Sequence, residues 1–303
     1  MFFSFLHNPN IYKSCFYSNF NMFANQFKTV ALLGALTALL LVAGQLLAGR
    51  GGLLIGLIFA LSMNFGSYWF SDKFVLKMHK AKHVTELEQP ELYNLVKEVT
   101  HLARIPMPKV YIIPSETSNA FATGRDPKHS AIACTQGILK LLTKEELKGV
   151  IAHEISHIKN RDTLISTIAA TIAGVISYLA LMARFGAMFG GFGGRDRGNN
   201  MFEMLALAII TPIIAMIIQM AISRSREYIA DESAAKIIND SKGLANALEK
   251  LESESKHNPL RSGNKSCASL FIVNPFKSGV LVNLFSTHPP MKERVRKLEN
   301  IEF

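Results

Sequence analysis

His153, Glu154 and His157 fall within five residues, His153-Glu154-Ile155-Ser156-His157. On a helix, positions i and i+4 share a face, so both imidazoles would reach one metal ion. Glu154 would then lie beside a water on that ion without ligating it. This is the H-E-x-x-H spacing with which zinc peptidases activate water. Catalytic zinc takes three protein ligands and leaves one position open, so two histidines do not complete a site. Of the nine histidines, these two have ligand spacing about a glutamate, and Cys15, Cys134 and Cys267 are scattered singly. A C-x-x-C structural zinc site and a disulfide framework are both excluded, and unpaired thiols suit a reducing compartment. The best third ligand lies in residues 223–231, where Glu227 and Asp231 are again four apart. Glu227 would ligate the metal while Asp231 accepts a hydrogen bond from a ligand imidazole, fixing its tautomer. The same stretch also reads as a solvated helix with Arg224, Arg226, Glu227 and Asp231 on its surface; the H-E-x-x-H motif favours the ligand reading. Two imidazoles and a carboxylate favour Zn2+, one per chain, on ligand type.

These residues need a rigid element, and the local sequence supplies one. Thr143-Lys144-Glu145-Glu146 has the form of a capping box, in which Thr143 and Glu146 satisfy the first orphan amides of a helix. Leu147, Val150, Ile151, Ile155 and Ile158 then recur at helical spacing and would bury one side. Upstream, Pro90–Ala103 reads as a helix with proline in its first turn and Leu92, Leu95, Val96, Val99 and Leu102 along one side. Short strands are expected at Lys109–Ile113, 120–123 and 130–134, with Gly124-Arg125-Asp126-Pro127 turning between the last two. Residues 253–286 read as a loop-rich insertion near the site.

The chain is 49% hydrophobic and 18% charged, a balance high in apolar residues for a water-soluble domain. Residues 30–49 carry no charge and are long enough to span a ~30 Å hydrocarbon core. Residues 53–70 follow after a three-residue break, so the two read as a transmembrane hairpin. Residues 164–183 and 205–222 are two further candidates, the last kinked at Pro212; each would alternatively be a buried core helix. The net charge of +10 does not indicate nucleic acid, because the basic residues flank the spans. Lys13 and Lys28 precede the first, Lys73, Lys77, Lys80 and Lys82 follow the second, Lys159 and Arg161 precede the third, and Arg224 and Arg226 follow the fourth. That placement predicts both termini and the catalytic parts on the cytoplasmic side. The glycine- and phenylalanine-rich loop at 184–200 fits either an external or a re-entrant position. Residues 1–26 lack the apolar core and cleavage site of a signal peptide; a start-site artefact is favoured over an interfacial anchor.

The blocks His153–Asp162 and Arg226–Asp231, with Asn119-Ala120-Phe121-Ala122-Thr123-Gly124 and Thr287-His288-Pro289-Pro290, resemble the HtpX family of bacterial membrane-embedded zinc metalloproteases. That family is related to the CAAX-processing prenyl proteases, and the similarity runs from about residue 27 to the C-terminus. The resemblance implies a gluzincin, with Glu227 as third ligand on a later helix. It also implies that Asn119, Ala120, Phe121 and Ala122 form the edge strand on which an extended substrate pairs, and that His288 stabilises the oxyanion. His288 reads equally well as a helix-entry residue before Pro289 and Pro290. Asp162 is either a partner of the ligands or a surface charge beside Arg161.

The expected fold class is therefore an α+β membrane protein, predominantly helical, with about four transmembrane helices and a small mixed sheet in a zincin-type catalytic domain. The expected organisation is an N-terminal extension at 1–28, a transmembrane hairpin at 29–72, a first cytoplasmic part at 73–162 that includes the zinc helix, a second hairpin at 163–222, and a second cytoplasmic part at 223–303. The expected activity is endoproteolysis of cytoplasmic regions of misfolded membrane proteins at a bacterial inner membrane, with Glu154 as general base. Expected partners are the lipid bilayer, membrane-protein or unfolded polypeptide substrates, and quality-control proteases such as FtsH, with no nucleic acid. A CAAX-type prenyl-peptide protease and a catalytically silent zinc-binding scaffold are the alternatives. A silent scaffold would have no use for the base at Glu154.

Overall fold

The structure, a computed structural model, describes residues 9–165, 224–257, 272 and 289–303. The first helical segment, α1 (Pro9–Met78), reverses direction at Gly49, whose φ of 58° is accessible to glycine without strain. The reversal is visible in the contacts of Asn64. Its side-chain amide donates to Thr37 Oγ1 at 2.8 Å and Leu33 O at 3.4 Å, groups that a straight helix would hold about 40 Å away. Glycines let the two arms touch: a Cβ on Gly56 would stand 2.6 Å from the carbonyl oxygen of Leu40. Within the second arm, Gly49–Phe70 is 22 residues long and apolar enough to cross a membrane, and the first arm contains the shorter apolar stretch Leu33–Val42. Among the described residues this is one helix of spanning length and composition, against the four expected; the candidate spans at 164–183 and 205–222 fall outside the described residues beyond Ile165.

Past the apolar stretch, α1 runs onto a four-stranded mixed sheet, β1 (Lys82–His83), β2 (Lys109–Ile113), β3 (Ala120–Asp126) and β4 (His129–Thr135), in the order β1-β2-β4-β3. β2 is parallel to β4, and the two outer pairings are antiparallel. β1 has no periodic apolar signal in its two residues and escaped the sequence reading. β4 is apolar on both sides because both are covered. Ile132 and Cys134 enter the main core, whereas Ala131 and Ala133 pack with Val75 and Leu76 of α1, as a side-chain period of two requires. β3 divides in the same way: Ala120 and Ala122 join the main core, and Phe121 joins the α1 side. The edge strand is thus clamped between the membrane-proximal helix and the helix that carries H-E-x-x-H.

That helix is α4 (Lys144–Asn160), preceded by α2 (Pro90–Ala103) and the short α3 (Gln136–Leu141). The capping box is present: Thr143 Oγ1 accepts from Glu146 N, and the Glu146 carboxylate accepts from Thr143 N at 2.8 Å. Leu147, Val150, Ile151, Ile155 and Ile158 are all buried. The helix stops at Arg161, in the left-handed region at φ 59°, whose N–H donates to the carbonyls of His157 and Ile158. α5 (Arg224–Ile238) and α6 (Lys242–His257) pack on α4. A Cβ on Gly149 would lie 2.6 Å from the backbone nitrogen of Leu244, so α4 and α6 approach at backbone distance. Helix α6 takes up residues 253–257, which the sequence reading placed in the loop-rich insertion; most of that insertion lies outside the described residues. The chain closes with α7 (Met291–Glu299), opened by Pro289 and Pro290.

Candidate metal centre and active site

One turn of α4 separates His153 from His157, and their Nε2 atoms lie 3.1 Å apart. Glu227, in the first turn of α5, places Oε2 3.6 Å from His153 Nε2 and Oε1 3.6 Å from His157 Nε2. The ligand atoms of these three residues all lie within 4.8 Å of one another. Two ligands on a tetrahedral zinc with bonds of about 2.0–2.1 Å stand roughly 3.3 Å apart, so the spacing fits one ion. The outer nitrogens of the imidazoles support the same fit. His153 Nδ1 is 2.9 Å from Asp231 Oδ1, and His157 Nδ1 is 3.2 Å from Asp162 Oδ2. A carboxylate on each Nδ1 holds the proton there and leaves Nε2 free to ligate.

The solvated-helix alternative for residues 223–231 does not hold, since Arg226 and Asp231 are both buried. Asp162 is likewise buried and faces His157, with Arg226 Nη1 3.9 Å away; it is not a surface charge. Tyr228 points elsewhere: its hydroxyl donates to Glu293 at 2.6 Å and its ring lies under the Lys297 ammonium. Replacing Asp162 by Asn should weaken zinc binding about 10- to 100-fold, measured by competition with a chromophoric chelator, with the fold retained.

Arg294 is the site residue the sequence reading missed. It is fully buried, at 0% exposure. Its Nε and Nη2 each donate to Asp231 at 2.7 Å, a bidentate pair, and its Nη1 is 3.5 Å from Glu227 Oε2. The signal was present in α7, where Met291, Arg294, Val295 and Leu298 form the buried face. An arginine in the apolar stripe of an amphipathic helix requires a buried acid. His288 lies outside the described residues.

The electrostatics follow from burial. Without metal, burial works against a charged His153, but the hydrogen bonds to Asp231 and Glu227 outweigh it and push its pKa up to about 10. Burial raises Asp231 as well, yet the Arg294 guanidinium and His153 hold its carboxyl below the usual range. Glu154 moves the other way. Burial raises its pKa, only partly offset by the two histidines and by the Ala122 N–H, which donates to Glu154 Oε2 at 2.8 Å. A carboxylate with a raised pKa is a better proton acceptor near neutrality. Cys134 lies behind it on β4, its thiol pushed up to about 12 by burial and the nearby Glu154 charge, hence unreactive.

The Ala122 contact also orients the edge strand. Because its N–H points at Glu154 rather than at β4, Ala122 turns its backbone to the side of β3 on which, among the described residues, no strand pairs. Gly124 O, two residues on, accepts from Thr163 Oγ1 at 2.9 Å. Asn119 precedes this edge, buried, with its N–H donating to Thr135 Oγ1 and its side-chain oxygen accepting from Ile272 N. Ala122 therefore borders the centre, Ala120 is buried in the main core, and Phe121 faces α1.

A profile of Peptidase family M48 matches residues 86–302. The chain is 50% identical over 282 residues to a protein of Syntrophobacter fumaroxidans named "Protease HtpX homolog", covering 91% of this chain and 99% of that one. A protein of the same name from Syntrophotalea carbinolica is 54% identical over 278 residues, covering 91% and 99%, and one from Pyrococcus furiosus is 49% identical over 274 residues, covering 90% and 95%. Among solved structures, the Ste24p of S. mikatae superposes with a TM-score of 0.50 at 17% identity, covering 92% of this chain and 66% of that one, a likeness of fold.

Proposed function

Since the chain belongs to peptidase family M48, within its HtpX group, and is a metalloprotease, we propose that it is a membrane-integral zinc endopeptidase acting on cytoplasmic regions of misfolded membrane proteins. The observation that carries this reading is the placement of Glu154. Its carboxylate lies between the His153, His157 and Glu227 cluster and β3, held by the Ala122 N–H at 2.8 Å. Zinc held by His153, His157 and Glu227 would supply Lewis-acid polarisation of a scissile carbonyl and acidify water. Glu154 then accepts a proton from the attacking water and returns it to the departing amine. Asp231 and Asp162 keep the ligand imidazoles in one tautomer, and Arg294 keeps Asp231 ionised. The edge of β3, at Ala120 and at the carbonyl of Ala122, offers an extended substrate backbone hydrogen bonds, which fix register with little demand on sequence. His288, two residues before Pro290 in sequence, is the proposed oxyanion donor.

Substrate choice follows from position. α4 ends at Asn160, and Gly49–Phe70 leads through Val75 and Leu76 directly onto the sheet, so the centre lies close to where the chain leaves the bilayer. The test is cleavage-site mapping. The reconstituted protein is given a membrane protein whose cytoplasmic domain has been unfolded, and the products are sequenced. Cuts in polar, membrane-proximal cytoplasmic stretches are expected. Cleavage confined to release of the C-terminal tripeptide that follows a prenylated cysteine would instead establish the CAAX-type activity.

A further inference from the structure

We propose that the segment 69–82 is a recognition surface for anionic phospholipid headgroups, in the leaflet through which α1 leaves the bilayer. The inference rests on the membrane-integral reading and extends it from a bilayer to a particular lipid charge. Trp69, Lys73 and Lys77 are spaced four apart and share one face of α1, while Val75 and Leu76 are buried against the sheet. Lys80 and Lys82 follow directly, beyond the helix end at Met78. All four lysines are exposed, and among the described residues none of them makes an ion pair. Asp72 is the one acidic residue in the stretch.

Direction matters as much as charge. Helical side chains lean toward the N-terminus of their helix, and here the N-terminal side is the bilayer. Lys73 does this: its Nζ reaches back to 5.6 Å from the centroid of the Phe70 ring. At 1.5 Å per residue, the backbones of Lys73 and Lys77 lie about 4.5 and 10 Å beyond Phe70, so their ammonium groups fall back into a headgroup layer roughly 5–7 Å deep. Phe70 and Phe74 are exposed on the same segment, at 49% and 68%, and would seat at the acyl boundary beside the phosphates. Arg125, near the end of β3, stacks on Trp69 at 4.4 Å while its Nε lies 3.5 Å from Asp126, which places a further guanidinium beside Trp69. Clustered lysines just outside a span attract anionic lipid over zwitterionic lipid, and the attraction is screened by salt.

Trp69 is the single tryptophan of the chain and so reports on its own lipid neighbours. The full-length protein is reconstituted in two bilayers of identical composition, a mixture of phosphatidylglycerol and phosphatidylcholine. Bromine is carried by the acyl chains of the anionic lipid in one and by an equal amount of the zwitterionic lipid in the other. Quenching of Trp69 should be about two- to fivefold greater with the brominated anionic lipid. That ratio should fall toward one in high salt and in a K73Q/K77Q/K80Q/K82Q variant. A variant with Lys144, Lys242, Lys292 and Arg296 changed to Gln, exposed sites away from α1, should keep the wild-type ratio. Equal quenching by the two lipids in wild type overturns the headgroup preference while leaving the membrane reading intact. Absence of quenching by either overturns the membrane placement of α1, and the preference with it.

Discussion

Glu154→Gln should retain zinc and fold while losing peptidase activity by about 100- to 10,000-fold, the range of a general acid–base contribution. The amide keeps the size of the side chain and can still accept from the Ala122 N–H through its carbonyl oxygen, so β3 stays seated against α4. What disappears is the proton acceptor. Glu154 is buried between two histidines and Glu227, and its raised pKa is a property of that setting. An amide there neither takes a proton from water nor passes one to the leaving amine. Equal metal content in the two proteins, by elemental analysis, separates loss of the base from loss of the ion. Self-cleavage during purification provides a second readout, because wild type should shorten in the presence of zinc and the variant should not. Cleavage by both proteins at the same rate would remove Glu154 from the mechanism.

The second large effect is expected at Arg294, and it falls on stability before activity. Asp231 is buried, accepts two hydrogen bonds of 2.7 Å from Arg294, and faces His153 at 2.9 Å. Arg294→Met fills much of the volume but removes both hydrogen bonds and the compensating charge. Breaking one side of a buried pair costs up to about 3–5 kcal/mol, and here His153 at 2.9 Å leaves Asp231 only partly compensated. The metal-free protein should therefore show a markedly lower thermal midpoint in detergent, and zinc should restore part of the loss by binding only the folded form. Arg294→Lys should rescue little, since a single ammonium cannot reproduce the bidentate geometry. The double variant Arg294→Met with Asp231→Leu is the control. Removing both charges should cost less than removing Arg294 alone, which a purely steric role would not produce.

The parts of this site that the sequence disclosed were local ones. A capping box, a run of isoleucine, leucine and valine at helical spacing, and two histidines four apart all lie within the eighteen residues from Thr143 to Asn160, and each depends on geometry that a helix imposes on its own. Glu227 and Asp231 were legible for the same reason, as a second i, i+4 pair. Arg294 depends on a pairing with Asp231 that spans 63 residues, and no local pattern encodes its partner. Asp162 stood between two readings because it follows the left-handed residue Arg161, where helical phase is lost and the direction of a side chain no longer follows from spacing. The reversal of α1 was expected from the break at residues 50–52, and the structure turns at Gly49 beside it. The two-residue strand β1 is held only by pairing with β2, at Lys82 with Ile112 and His83 with Tyr111, and carries no periodicity of its own.

The same distinction explains why the edge strand became informative only with its neighbours in place. Residues 119–122 suggested a strand by type and by resemblance. That Ala122 aims its N–H at Glu154, and that Phe121 lies under α1, follows from pairing with β4 and from packing between two helices. The edge strand, the carboxylate of Glu154 and helix α1 therefore meet within three consecutive residues, Ala120, Phe121 and Ala122.

The central claim is that one zinc ion, held by His153, His157 and Glu227, is required for cleavage. The most direct measurement is a zinc titration of metal-free wild type and Glu227→Ala, recording bound metal and cleavage of an unfolded fluorogenic protein in the same samples. Metal binding and cleavage should rise together in wild type and saturate at one ion per chain, and both should be lost at the same zinc concentrations in Glu227→Ala. Full cleavage by the metal-free protein, or unchanged binding and cleavage in Glu227→Ala, would contradict it.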